Sequence, residues 1–122
     1  PMTTADAALS GRKPVLIKID VEGEELAVLN GARRILADSE LAAVIVETFR
    51  PHNHHREPLM TIERELSRLG FHPVAYSPVS RKIRSLTDPS DGGQNTIYLR
   101  NRDLAETRVK DARPVRVLGR YV

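Results

Sequence analysis

The chain has no cysteine and no tryptophan, and its aromatics are three tyrosines and two phenylalanines. Without cysteine there are no disulfides, no thiolate metal site and no cysteine nucleophile, while the compartment stays open on that ground. With aromatics at only 4%, bases have little to stack on, so single-stranded nucleic acid is not an expected partner. No apolar run approaches the roughly 18 residues of a membrane span, so a membrane is not expected as a partner either. The opening PMTTADAAL lacks the basic segment and apolar block of a signal peptide, which points to a cytoplasmic protein. Pro1 ahead of Met2 reads as a tag remnant before a start methionine, or as an internal start. There is no P-loop, no GxGxxG, no Ser-His-Asp order and no internal repeat.

What remains is 122 residues, 40% hydrophobic, with a net charge of +3, which suits one domain with a modest core. The basic excess is local. From residue 100 onward, Arg100, Arg102, Arg108, Lys110, Arg113, Arg116 and Arg120 outnumber Asp103, Glu106 and Asp111, so residues 101–122 read as a basic C-terminal tail. Such a tail can touch phosphate or anionic lipid, and a solvated tail or charged surface helix is its plainer reading.

The stretch Pro14–Leu36 organises the rest. Val15, Leu16, Ile17, Ile19 and Val21 form an apolar run broken only by Lys18, the pattern of a strand buried on both faces in a helix-covered parallel sheet. Asp20, Glu22 and Gly23 follow, and Gly23 allows the turn a positive φ. The period then becomes helical, with Leu26, Leu29, Ala32 and Leu36 on one face and Glu24 and Glu25 in the first turn, where carboxylates oppose the positive helix end. Gly31 inside this helix is expected to serve close packing against the sheet. A second apolar run, Leu41–Phe49, makes a right-handed β-α-β crossover with parallel strands.

Pro51–Glu57 is a polar loop, and a second helix from Pro58 buries Leu59, Ile62, Leu66 and Leu69 and stops at Gly70. Phe71–Tyr76 is a third strand. Arg81, Lys82 and Arg84 fall in a variable stretch, Asp88–Gly93 is a loop, and Asn95–Leu99 is a fourth strand. Residues 1–13 form a flexible lead-in or a short helix at Thr4–Leu9, and residues 14–100 are the folded domain.

Residues 17–36, IKIDVEGEELAVLNGARRIL, resemble the signature of the FkbM family of S-adenosylmethionine-dependent methyltransferases. AVIVET (residues 43–48) and NTIYL (residues 95–99) resemble that family's next strand and its last. The resemblance runs over about residues 12–100. It implies an α/β fold, the carboxyl-terminal half of a Rossmann-like class I methyltransferase, with two parallel strands, an antiparallel C-terminal strand pair and flanking helices. The final strand is then expected to insert beside the second. It also implies S-adenosylmethionine as cofactor and methyl transfer to a hydroxyl of a small molecule such as a sugar or polyketide. Members of the family begin with a strand, a Gly-rich loop that holds the cofactor and a second strand ending in a ribose-binding acid. Nothing before Pro14 supplies these. Two readings follow: a fragment of an O-methyltransferase completed by another half, or a non-catalytic remnant acting as an interaction or structural module.

Three carboxylates are the catalytic candidates. Asp20 and Glu22 end the first strand and Glu47 lies near the end of the second, with parallel strands about 4.8 Å apart. By resemblance this strand end flanks the reactive methyl and the acceptor, where a buried carboxylate orients a hydroxyl or takes its proton if its pKa is raised. The plainer reading has Asp20 and Glu22 cap helix amides and Glu47 pair with an arginine. His52, Asn53, His54 and His55 invite a metal, but adjacent histidines on a loop lack the framework a zinc site needs, so no metal is expected. His52 after the second strand and Asn95 at the start of the last are the substrate-binding candidates. Their structural alternatives are a solvated loop and a satisfier of backbone groups. Finally, the strand Val15–Val21 is expected to lie at an edge and to pair with a second copy as a homodimer, unless residues 1–13 fold over it.

Overall fold

In the computed structural model, which describes residues 2–47 and 56–121, the two apolar runs become adjacent parallel strands. After a short helix α1 (Ala5–Ala8) comes β1 (Leu16–Ile19), then two helices, α2 (Glu25–Asn30) and α3 (Arg33–Ala37), and then β2 (Ala43–Glu47). Leu16 lies level with Ala43, and Ile19 with Val46. Next come α4 (Arg56–Arg68), β3 (His72–Ser77), β4 (Lys82–Ser85), β5 (Asn95–Leu99) and α5 (Arg102–Asp111). A small antiparallel pair, β6 (Arg116–Val117) and β7 (Arg120–Tyr121), ends the described chain. The main sheet has five strands in the order β1-β2-β5-β3-β4. β5 inserts between β2 and β3, antiparallel to both, as the final strand was expected to do.

The single helix expected over residues 24–36 is two. Gly31 caps α2, its amide donating to the Ala27 carbonyl. The break is fixed from outside: the Asp6 carboxylate accepts from the amides of Arg34 (2.9 Å) and Ile35 (3.0 Å), and so caps α3. A Cβ on Gly31 would meet Thr4 Cβ at 3.3 Å, so this glycine admits the lead-in rather than the sheet, contrary to expectation. Residues 5–8 therefore take the short-helix form and dock on the helix layer, with Thr4 Oγ1 capping α1.

The helix-covered face of the sheet carries the main core. Ile19, Val44, Val46 and Tyr98 meet Leu29, Ile35 and Leu36 of α2 and α3, and Ile62 and Leu66 of α4. The opposite face is covered less. There Ala43, Val74 and Leu99 form a smaller cluster, with Ala105 of α5 packed on it. β1 lies beyond that cover, and this corrects the expectation of burial on both faces: Ile19 is buried, but Val15 and Leu16 are 48% and 52% exposed. The other unforeseen element is β4. Its Lys82, Arg84 and Ser85 are exposed and only Ile83 is half-buried, so pairing with β3, not apolar periodicity, makes it a strand.

Two helix ends are anchored together at one end of the sheet. α4 stops at Gly70, whose φ of 82° suits glycine, with the Gly70 amide bonded to Ser67 and the Phe71 amide to Leu66. Arg100, just past β5, lies over the Phe71 ring at 4.1 Å from its centroid. Its guanidinium donates to the carbonyls of Leu69 (3.2 Å), Leu41 (3.1 Å), Leu36 and Asp38. A cation thus meets carbonyls at the negative ends of α3 and α4. Arg100→Ala should lower stability by about 2–4 kcal/mol, because it strands partly buried carbonyls and removes the ring contact. Arg100→Lys should recover little, since an ammonium lacks the planar fork. Urea denaturation measures both, and a loss below about 1 kcal/mol for the alanine variant would contradict the role given to this side chain.

Candidate functional site

Strand register lines up the predicted polar residues. Ile19 is level with Val46, so Asp20 comes beside Glu47, and Glu47 is directly opposite Asn95 across the antiparallel β2–β5 pair. Side chains alternate along strands, so Lys18 and Asp20 lie on the face shared by Ala43, Ile45 and Glu47, and by Asn95, Ile97 and Leu99. This is the less covered face. Asp20, Glu47 and Asn95 therefore form one row across three strands, at the sheet end away from Arg100. The start of β5 is held in place by Thr96, whose buried hydroxyl donates to the Pro89 carbonyl at 2.7 Å.

The row is joined by hydrogen bonds. The Lys18 ammonium donates to the Asp20 carboxylate, an ion pair whose side chains are 47% and 53% exposed. The pKa of Asp20 is held below the ordinary carboxylate range, first by the hydrogen bond from Lys18, then by a hydrogen bond with Glu47 and by the charge of Lys18, with burial opposing weakly. Lys18 therefore favours charge on Asp20, and the row presents an ionised acceptor beside the half-buried Glu47.

Asp20 is exposed rather than buried, and its lowered pKa leaves unmet the condition under which it would act as a base. The cause is Lys18, two residues back on the same strand face, a spacing visible in the sequence but not weighed there. Capping of the turn falls to a different residue. Gly23, with φ of 93°, donates its amide to Glu25 Oε1 at 3.3 Å, and Glu25 is 3% exposed. Glu22 is exposed in the bend before α2, apart from the row. His52 lies outside the described residues. Among the described residues no cluster of His, Cys, Asp and Glu could hold a metal ion. No helix there is long and apolar enough to cross a membrane. Lys18→Met should raise the Asp20 pKa, because the substitution removes both the main hydrogen bond and the charge. Carbon-detected NMR titration of the Asp20 carboxyl reads this directly, and an unmoved titration would mean that Lys18 does not set its charge.

Residues 2–73 match the family model described as the Methyltransferase FkbM domain. Asp20, Glu22 and Glu47 fall inside the matched stretch, whereas Asn95 and the NTIYL strand lie beyond it. No curated protein and no solved structure matches the chain. The family match extends over more than half of the 122 residues. The chain therefore belongs to the FkbM methyltransferase domain family.

Proposed function

We propose that this chain forms the acceptor side of an S-adenosylmethionine-dependent O-methyltransferase, in which it holds the hydroxyl of a small molecule such as a sugar or polyketide. On this reading its sheet is the carboxyl-terminal half of a Rossmann-like methyltransferase fold. The observation that carries the proposal is the Asp20–Glu47–Asn95 row at the carboxyl ends of two parallel strands, where α/β sheets bind ligands, in a chain of a methyltransferase family.

The described residues do not fit the cofactor by themselves. Asp20 suits the neighbourhood of a sulfonium cation, but β1 has only β2 beside it, with no Gly-rich strand–helix turn and no ribose carboxylate adjoining. No step is therefore derived through the cofactor. The chain's own residues would act on the acceptor. Ionised Asp20 accepts a hydrogen bond from the substrate hydroxyl and fixes the direction of its lone pair. Glu47 adds a polar contact one strand inward, and Asn95 offers an amide to the rest of the molecule. Glu22, exposed in the bend after β1, and His52, which follows β2 in the sequence, are further candidates for contact with the acceptor. With its pKa lowered, Asp20 is a weak base suited to orientation, and methyl transfer depends chiefly on alignment.

Titration calorimetry of the 122-residue chain with S-adenosylmethionine should show no binding up to about 1 mM, since most cofactor contacts are missing. Micromolar binding would assign the chain a cofactor site that it does not show. In an enzyme completed by a Gly-rich nucleotide-binding half, Asp20→Asn should lower turnover about 10²-fold or more while cofactor affinity stays within about twofold. Normal turnover in that variant would remove the proposed role and favour the other reading, a non-catalytic module.

A further inference from the structure

The basic tail of the sequence folds into α5 and the β6–β7 hairpin, and the end of α5 is tied to the sheet. The Arg81 guanidinium, in the turn between β3 and β4, donates to the Ala112 carbonyl. That turn leads into β4, the sheet edge opposite β1. β3 runs from the level of Leu99 past that of Ile97, so the turn stands at the sheet end that carries the carboxyl row. Beyond Ala112 comes the hairpin, with Arg116 level with Tyr121 and Val117 with Arg120. Its two loop residues, Leu118 and Gly119, have φ of 47° and 81°, positive at both positions as in a type I′ turn. Glycine suits such a conformation, and asparagine is the usual residue before it. A leucine there is strained and adds nothing to the turn. Leu118 is nevertheless the tip of the hairpin, and it is 100% exposed. A strained apolar side chain that touches nothing within the molecule points to a use outside it.

Behind the tip the residues change character. Val117 is exposed next to Leu118, Arg116 and Tyr121 are exposed one step further back, and Arg113 is exposed at the root. Arg108 and Lys110, near the end of α5, are exposed as well. Over residues 108–121 five Arg or Lys stand against one acid, Asp111. We propose that this hairpin docks end-on at the surface of a membrane of anionic lipids, with Leu118 and Val117 among the upper acyl chains. Each level of the hairpin matches a level of that surface. The apolar tip enters hydrocarbon, the Tyr121 ring suits the headgroup layer, and the arginine stems reach back to the phosphates. Arg108 and Lys110 add attraction to the negative surface. Other occupants match only half of this order. Nucleic acid would engage the cations but give the leucine no apolar surroundings, and aromatics for stacking are few. A second copy would set like charge against like. Docking of this kind needs no membrane span, the feature on which the sequence expectation rests. The proposal does not depend on the methyl-transfer reading.

The 122-residue chain should co-sediment with phosphatidylcholine vesicles that contain about 30% phosphatidylserine, and roughly tenfold less with phosphatidylcholine alone. Leu118→Asn should weaken this binding about tenfold or more, because one inserted leucine is lost. The hairpin itself should persist in that variant, since asparagine suits the turn better than leucine does. Arg113→Gln combined with Arg116→Gln should weaken binding to a similar extent, about tenfold. Circular dichroism checks that each variant is folded. The chain has no cysteine, so Leu118→Cys can carry a single environment-sensitive dye. Its emission should shift to the blue on the anionic vesicles, while the same dye on Glu65→Cys, at an exposed position of α4, should not respond. Absence of sedimentation with anionic vesicles, equal binding to neutral ones, indifference to Leu118→Asn, or an unshifted dye at position 118 would each overturn the proposal. So would a chain that binds duplex DNA or an acidic protein and leaves the vesicles alone.

Discussion

The guanidinium of Arg100 is the constraint on which the layers depend. A sheet and its helices bury apolar faces without fixing where the helix ends lie, and those ends carry carbonyls with no partner inside the helix. Arg100 gathers them. It bonds Leu36 at the end of α3, Asp38 and Leu41 in the connection to β2, and Leu69 at the end of α4, while its flat face covers Phe71. Because Arg100 follows β5 directly, the central strand, the crossover and the second helix are all fixed at one end of the sheet. Burial lowers the Arg100 pKa and Asp38 opposes that shift, as expected for a cation partly removed from water. Arginine keeps its charge in such a place, and a lysine would be less able to.

Fixing one end leaves the other to chemistry. The carboxyl ends of β1 and β2 and the beginning of β5 carry no comparable clamp, and the polar row occupies them. Two further asymmetries act in the same direction. Helices cover one face of the sheet deeply, while the row lies on the other, reached only in part by α5. Among the described residues β2 and β5 have strands on both sides, whereas β1 has one neighbour. Asp20 is exposed, and Glu47, one strand inward, is half-buried. Solvent weakens the Lys18–Asp20 pair as a source of stability, since exposed ion pairs contribute little. What the pair does is favour the ionised form of Asp20.

The parts of this arrangement visible in the sequence are those set by local rules. Apolar runs at 15–21 and 41–49 with one helical stretch between them indicate a parallel crossover, and Gly70 marks the end of a helix because only the left-handed region completes that stop. Asp20 and Glu47 were legible together because the ends of adjacent parallel strands share a level, whereas Asn95, a separate candidate, joins them through the β2–β5 register. Four features were not legible, each because its cause is distant in the chain. α2 and α3 are separated by Asp6, which lies 28 residues before the amide of Arg34 that it caps. The exposure of β1 depends on how far α5 reaches across the far face. β4 has one half-buried apolar side chain and exists because β3 offers it an edge. Arg100 looked like the first residue of a basic tail, and nothing in its neighbours tells of carbonyls about sixty residues earlier.

On the proposed methyl-transfer reading, the charge state of Asp20 bears on how an acceptor would react. A base that must remove a proton before attack works best with a pKa near the ambient pH, and burial would be the means to raise it. Lys18 does the opposite here: it holds Asp20 ionised and reduces its appetite for a proton. That combination suits a nucleophile that attacks as a neutral hydroxyl and sheds its proton late. For such a group the useful service is a fixed hydrogen-bond acceptor, which aims the oxygen lone pair and disperses the positive charge as the new bond forms.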